Sequence, residues 1–299
     1  MQVMTCSVCH SDVHLLDGDW GEVRRPLVPG HEIIGRVIHS GAGHAAGSIV
    51  GIGWQSGCCG QCLACTSGRE HLCTGGKQRT CVGRQGGFAS QVRVDGRFAF
   101  ALPESLDLRT AAPLLCAGLT VFSPLERLGA REGMRVGVVG VGGLGHLAVR
   151  FARALGAEVI AFDPVPAKRD LVLSLGAAAF IDSNGPLPRD AVDLLLVTTH
   201  VSLDWSAWLK ALKLEGTLCL VGVPGEPLTI PSGPLMDEQK KITGSVIGSP
   251  GTMRRMLEIA ARDSIAPIVE RLPLSSVNEA IARVRDGRAR MRVVLDVAS

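Results

Sequence analysis

The chain has 299 residues, a length that as a soft prior means about two domains and leaves room for both a core and a cleft. With 46% hydrophobic and 20% charged residues it is not a disordered chain, and 31 basic against 28 acidic residues with no Lys/Arg block offer no surface for nucleic acid or an anionic membrane. No apolar run approaches the roughly 20 residues needed to cross a bilayer, and the first nine residues lack the basic and apolar regions of a signal peptide, so the expected address is cytoplasmic. In that reducing setting the 10 cysteines read as metal ligands or catalysts before they read as disulfides.

Residues 1 to about 103 are dense in Gly, Cys and His, with short β-type runs at 33–38 and 90–94 broken by glycine turns, which predicts a small, mostly β unit. Residues 105–116 and 119–128 have helix-compatible apolar spacing. Short apolar β runs follow at 135–139, 158–162, 178–181, 192–197 and 217–221, separated by helix-like segments at 143–155, 167–175 and 204–212. Such alternation predicts an α/β unit with a doubly wound parallel sheet covered on both faces. Two more helices are expected at 253–262 and 277–284, and a final strand at 292–297.

The first β run of that series leads into Gly140-Val141-Gly142-Gly143-Leu144-Gly145 and then a helix. Strand, G-x-G-x-x-G, helix is the context of a dinucleotide site: the first glycine permits the tight turn, the second lets backbone approach a pyrophosphate, and the third lets helix and strand pack closely. The next β run ends at Asp163, about where a carboxylate would accept hydrogen bonds from the adenosine ribose and repel a 2′-phosphate, which favours NAD over NADP. Lys168 and Arg169 follow closely enough to reach such a phosphate, although a solvated first helical turn explains them as well.

Cys59, Cys62, Cys65 and Cys73 form C-x2-C-x2-C-x7-C in a polar, Gly-rich loop. Four thiolates so spaced can close around one tetrahedral Zn²⁺, and an iron–sulfur cluster or chance clustering fits the spacing too. Cys58 reads as a bystander. Cys9, His31 and Cys116 are dispersed; two thiolates and an imidazole with an open fourth position are a catalytic zinc set, but singly each reads as an ordinary core residue, and spacing cannot join them.

What joins them is likeness. Cys9-His10-Ser11-Asp12-Val13-His14, Asp17-Gly18-Asp19-Trp20, Pro26-Leu27-Val28-Pro29-Gly30-His31-Glu32, the four-cysteine loop and the Gly140–Gly145 turn occur in an order that resembles the zinc-dependent medium-chain alcohol dehydrogenases. Gly53-Trp54 and Pro113-Leu114-Leu115-Cys116-Ala117-Gly118 look most like their cinnamyl alcohol dehydrogenase-type branch. The resemblance implies a GroES-like, mostly β catalytic domain over residues 1–118, a Rossmann cofactor domain over 119–265, and a return to the catalytic domain over 266–299. It implies two Zn²⁺ per chain, the catalytic one on Cys9, His31 and Cys116 and the structural one on Cys59, Cys62, Cys65 and Cys73.

Carried over further, Glu32 matches a carboxylate beside the metal, Asp12 an acceptor for the outer N–H of His31, and Ser11 and His14 a proton relay. His10 would face the cofactor pyrophosphate, Thr120 would pack near the nicotinamide, and Arg292 would contact a phosphate, an exposed strand charge being its plain alternative. Trp20 and Trp54 resemble substrate-pocket lining, with core packing as the rival reading. The implied reaction is reversible hydride transfer between a primary alcohol or aldehyde, aliphatic or aromatic, and NAD, with NADP also accommodated. The alternatives are a polyol or other medium-chain dehydrogenase, or a non-catalytic zinc- or dinucleotide-binding homologue. A homodimer or homotetramer is expected through the edge near residues 241–247, by analogy alone.

Two departures from the family pattern carry expectations. Gly47-Ser48 stands where a Gly-Asp is usual, so a turn carboxylate is missing, at a cost to local stability. Cys9 lies eight residues after Met1, where the family has several short strands, and at ~5 to 6 residues per strand this segment supplies one at most. A destabilised catalytic domain, or a fragment or shortened gene product, is the expectation.

Overall fold

The computed structural model describes residues 1–22 and 25–297. The chain divides into two compact units, Met1–Leu119 with Ile247–Ser299, and Thr120–Val246. The return to the first unit thus begins at Ile247 and includes the helix Pro250–Arg262.

The strands of the first unit are β1 (Gln2–Val8), β2 (Glu32–Arg36), β3 (Ile49–Ile52), β4 (Gln55–Gly57), β5 (Gln78–Arg79) and β6 (Ala99–Ala101). The second unit holds β7 (Arg135–Val139), β8 (Glu158–Asp163), β9 (Ala179–Asp182), β10 (Val192–Val197), β11 (Leu212–Leu220) and β12 (Lys241–Gly244). The chain then adds β13 (Val269–Pro273) and β14 (Arg292–Asp296) to the first. Its main sheet has the order β13-β14-β1-β2-β3-β6, so the first and last strands of the chain are neighbours, antiparallel, with Cys6 opposite Leu295 on one side and Ile33 on the other. β1 serves two cores along its length, and the register shift between Val3 and Thr5 lets Val3 and Cys6 share one of them. Val3 and Cys6 pack with Ile33, Val50 and Ile52, while Val8 packs with Val13, Ile281, Val293 and Leu295. Each such buried aliphatic stabilises the unit by about 1.5–3 kcal/mol. The single strand that the segment before Cys9 can supply is β1, paired on both sides.

The second unit is the α/β sheet expected from the alternating pattern: order β12-β11-β10-β7-β8-β9, every pair parallel. Leu195, Val197, Phe162, Trp208 and Leu218 make its core.

Two expected elements are absent. Residues 105–116 form only the 3₁₀ turn Ala112–Leu115, because Pro113 lacks an N–H and disfavours helical backbone at the residue before it. Residues 90–94 contribute one isolated bridge, Gln2 to Gln91, and no strand. No helix among the described residues is long and apolar enough to cross a membrane.

Candidate active site

Cys9 ends β1 and caps the helix His10–Asp17 that follows. Asp12, on the first turn of that helix and fully buried, accepts from Cys9 N at 3.0 Å through Oδ2. Its Oδ1 accepts from Gly30 N at 2.9 Å and from His31 Nδ1 at 2.9 Å. One carboxylate therefore ties together the two chain segments that carry Cys9 and His31, and each bond to a buried charge strengthens the tie. Gly30 has φ +99°, and a β carbon there would stand 2.7 Å from the Phe88 ring, so only glycine brings His31 to this place. Cys116 arrives from the 3₁₀ turn Ala112–Leu115.

The ligand atoms of Cys9, His31, Glu32 and Cys116 lie within 4.8 Å of one another, all buried. Sequence spacing could not join these four residues; the fold does. His31 Nδ1 is committed to Asp12, and Nε2 is buried with no hydrogen-bond partner among the described residues. An orphaned buried imidazole nitrogen beside two thiols is costly unless something binds it, and a borderline-soft cation such as Zn²⁺ suits this donor set. The sulfurs share a proton: the Cys116 thiol donates to Cys9 and holds it well below the usual thiol range, which pushes Cys116 up. Burial disfavours the charged form of His31, yet Asp12 and Cys116 outweigh it and hold the imidazole well above its ordinary value.

Burial pushes the Glu32 carboxyl up to about 7 against the pull of Arg292. Arg292, expected at a cofactor phosphate, is here buried on Glu32, with Nη2 donating to Oε1 at 2.5 Å and to Oε2. That pairing follows from position: Arg292 opens β14 and Glu32 opens β2, the two strands that flank β1.

In the four-cysteine loop, the Sγ of Cys62 lies 3.6 Å from that of Cys65, and Cys73 Sγ lies 3.5 Å from Cys59 Sγ. Backbone N–H groups of Cys65 and Thr74 point at the Cys62 sulfur and bring its thiol down to about 5; those of Gln61 and Cys62 lower Cys59. Burial and the neighbouring thiols raise Cys65. Sulfurs already receiving amide hydrogens suit a bound cation. Cys58 is outside this group of four ligand atoms.

A row of rings leads outward from His31. Trp54 meets it edge-on at 4.7 Å, Trp20 meets Trp54 edge-on at 5.9 Å, and His14 lies 5.1 Å from Trp20 and 5.0 Å from His10. Trp20 is 47% exposed, so it is not core packing. Sequence reasoning missed two neighbours. Cys81 is buried with Sγ 3.9 Å from both Asp12 Oδ1 and His31 Nδ1, and nothing in its sequence context marks it. Asp19 Oδ2 lies 2.6 Å from His14 Nδ1.

The glycine turn sits in the second unit. Gly140 has φ +83°, a β carbon on Gly145 would fall 2.0 Å from the Gly140 carbonyl oxygen, and one on Gly142 would meet nothing within 4 Å. Open space above Gly142 is the cradle a pyrophosphate needs, and Gly143 and Leu144 lead from it into the helix Gly145–Ala154. Asp163 ends β8 and is 2% exposed; it accepts from Val141 N at 2.7 Å, Val165 N at 3.0 Å and Lys168 Nζ at 2.9 Å. Lys168, expected as an independent phosphate contact, thus spends its charge on the carboxylate expected to meet the ribose. Thr120 lies half-buried in the helix Ala117–Arg127.

Residues 1–104 match the alcohol dehydrogenase GroES-like domain and residues 143–262 the zinc-binding dehydrogenase domain. Aldehyde reductase AdhA of Synechocystis sp. is 42% identical over 302 residues, 99% of this chain and 90% of that protein. The chain belongs to the zinc-binding medium-chain alcohol dehydrogenases. Within this family it is similar to the cinnamyl alcohol dehydrogenase SbCAD4 of Sorghum bicolor, at a TM-score of 0.93 and 34% identity over 100% of this chain and 89% of that one. The Helicobacter pylori CAD complexed with NADP(H) superposes with a TM-score of 0.92 at 30% identity, covering 99% of this chain and 89% of that one. The GroES-like and Rossmann folds and the cinnamyl alcohol dehydrogenase-type resemblance read from the motifs are borne out. So is the reading as a zinc-dependent alcohol dehydrogenase acting on small alcohols or aldehydes; neither the polyol nor the non-catalytic alternative is favoured.

Proposed function

We propose that this alcohol dehydrogenase interconverts primary alcohols and aldehydes with a nicotinamide cofactor, using Cys9, His31 and Cys116 to hold a catalytic zinc and Cys59, Cys62, Cys65 and Cys73 to hold a structural one. The observation that carries the reading is the buried, unpartnered Nε2 of His31 among two thiols and a carboxylate. Zinc bound there supplies Lewis-acid polarisation of the substrate oxygen. Asp12 fixes the orientation of His31, Glu32 stays beside the ligand set on its Arg292 tether, and Trp54 with Trp20 gives flat substrates an aromatic wall. Ser11 and His14 pass the alcohol proton outward to water. In the second unit Gly140, Gly142, Gly143, Leu144 and Gly145 cradle the dinucleotide phosphates, and Asp163 favours NAD, with Lys168 exchanging its Asp163 partner for a 2′-phosphate when NADP binds. His10 and Thr120 complete the cofactor contacts, while Arg292 stays on Glu32.

The catalytic domain would take residues 1–119 and 247–299 and the cofactor domain 120–246, the return falling earlier than residue 266. β12 is an edge strand of its sheet, a position open to pairing with a second copy, which supports the homodimer or homotetramer. A cytoplasmic location accords with ten free thiols.

Elemental analysis and NAD- and NADP-linked assays over a panel of alcohols and aldehydes test the proposal. Two zinc per chain with turnover of primary substrates is expected; full turnover without zinc contradicts it. Trp20→Ala should raise KM for aromatic aldehydes roughly three- to tenfold, the worth of one ring contact, and leave short aliphatic ones nearly unchanged. Equal effects on both classes would remove the aromatic-wall assignment.

A further inference from the structure

We infer that Thr198 and His146 are positioning residues for the cofactor: they turn carbonyl groups of the glycine turn inward, so that its N–H groups face the dinucleotide phosphates. The inference rests on the reading of Gly140 to Gly145 as the phosphate cradle. β7 and β10 run side by side with Val139 opposite Val197, so Thr198 arrives beside Gly140 as the chain leaves β10. Its hydroxyl donates to the Gly140 carbonyl oxygen at 2.6 Å, and its N–H donates to that of Val139 at 3.0 Å. A β carbon on Gly145 would stand 3.1 Å from that hydroxyl oxygen, so the third glycine of the fingerprint makes room for Thr198 as well as for the Gly140 carbonyl. From the other side comes His146, fully buried on the first turn of the helix Gly145–Ala154, whose Nδ1 donates to the Gly142 carbonyl oxygen at 2.9 Å. A carbonyl oxygen only accepts, so Nδ1 carries a proton.

The turn is thereby tied at three successive residues: the Gly140 carbonyl by Thr198, the Val141 N–H by Asp163 at 2.7 Å, and the Gly142 carbonyl by His146. The N–H groups of Gly142, Gly143 and Leu144 have no acceptor among the described residues. Successive N–H groups left open at the start of a helix form a concave site for an anion. A carbonyl oxygen swung into that site would repel a phosphate, and those of Gly140 and Gly142 are already committed to side chains. Burying an imidazole costs hydration that an aliphatic side chain never had, so packing alone gives no reason for a histidine in a helix whose other large buried side chains are Leu147, Val149 and Phe151. Every group in the arrangement belongs to the second unit.

Thr198→Val keeps the shape of the side chain and removes only the hydroxyl, so the fold is retained. NADH affinity, read by quenching of protein fluorescence, should fall about three- to tenfold in Thr198→Val, roughly what one hydrogen bond contributes. ADP-ribose affinity should fall by the same factor, since both ligands carry the pyrophosphate. Thr198→Ser should stay within about twofold of the native chain, because it restores the donor. His146→Asn, whose amide nitrogen stands where Nδ1 stood, should bind NADH more tightly than His146→Leu. With the zinc-loaded protein, KM for NAD should rise in Thr198→Val while kcat and KM for the alcohol hold. Undiminished NADH affinity in Thr198→Val overturns the inference, as does Thr198→Ser binding as weakly as Thr198→Val, or ADP-ribose affinity unchanged where NADH affinity falls. Gly142→Ala separates this failure from that of the reading beneath it. Weak NADH binding there beside a normal Thr198→Val sinks the inference alone, whereas normal binding there sinks the cradle and the inference together.

Discussion

His31→Ala should abolish alcohol oxidation, by about 10³-fold or more, and bring zinc from two per chain to one, while NADH still binds. The ligand set has one nitrogen and two sulfurs, and the nitrogen is the atom whose other side Asp12 orients. Without it, two thiols and Glu32 remain in a buried site. Asp12 keeps its bonds from Cys9 N and Gly30 N but loses the one from His31 Nδ1, and a hydrogen bond to a buried charge is worth about 1.5–3 kcal/mol. The first unit should therefore melt earlier as well. The glycine turn and Asp163 lie in the other unit, so quenching of protein fluorescence by NADH should persist. Cys116→Ser is the gentler companion and should keep the fold while losing turnover. Alcohol oxidation retained by purified His31→Ala would end the assignment of the catalytic metal.

Gly145→Ala should weaken NAD(H) binding by about 10²-fold or more and destabilise the second unit by several kcal/mol. Its β carbon would stand 2.0 Å from the carbonyl oxygen of Gly140, backbone against backbone, so helix and strand must move apart. Gly142→Ala is the matched control. Its β carbon meets nothing within 4 Å, so melting should be unchanged, yet the methyl group stands in the space a pyrophosphate would take. The pair separates fold from site: calorimetry should move for Gly145→Ala alone, and cofactor affinity should drop for both. Normal NADH affinity in Gly142→Ala would show that the dinucleotide lies elsewhere. Zinc content should stay at two per chain in either variant.

Much of this was legible in the sequence, for reasons that differ by residue. Local patterns reported local structure: Gly140 to Gly145 lies at a strand-to-helix turn because its spacing is itself the geometry, and Cys59, Cys62, Cys65 and Cys73 converge because their loop is short. Cys9, His31 and Cys116 have no such spacing. They converge through β1, the turn at Gly30 and the 3₁₀ turn before Cys116, and likeness to a family stood in for that long-range packing. Contacts between distant residues stayed hidden. Arg292 on Glu32 depends on two strands that flank a third, and Cys81 beside Asp12 depends on a loop closing over the first helix. Asp19 on His14 is local, and Gly18 after a short amphipathic run was its available signal. Residues 105–116 show the reverse error, where apolar spacing was helical and Pro113 decided against it.

The most direct test of the account follows the hydride. The zinc-loaded protein would be given NAD and a primary aromatic alcohol carrying deuterium at both positions of C1, and the cofactor recovered for mass spectrometry. One deuterium at C4 of the nicotinamide for each aldehyde formed is the predicted result. Aldehyde formed without deuterium in the cofactor, or no aldehyde from protein carrying two zinc per chain, would contradict it.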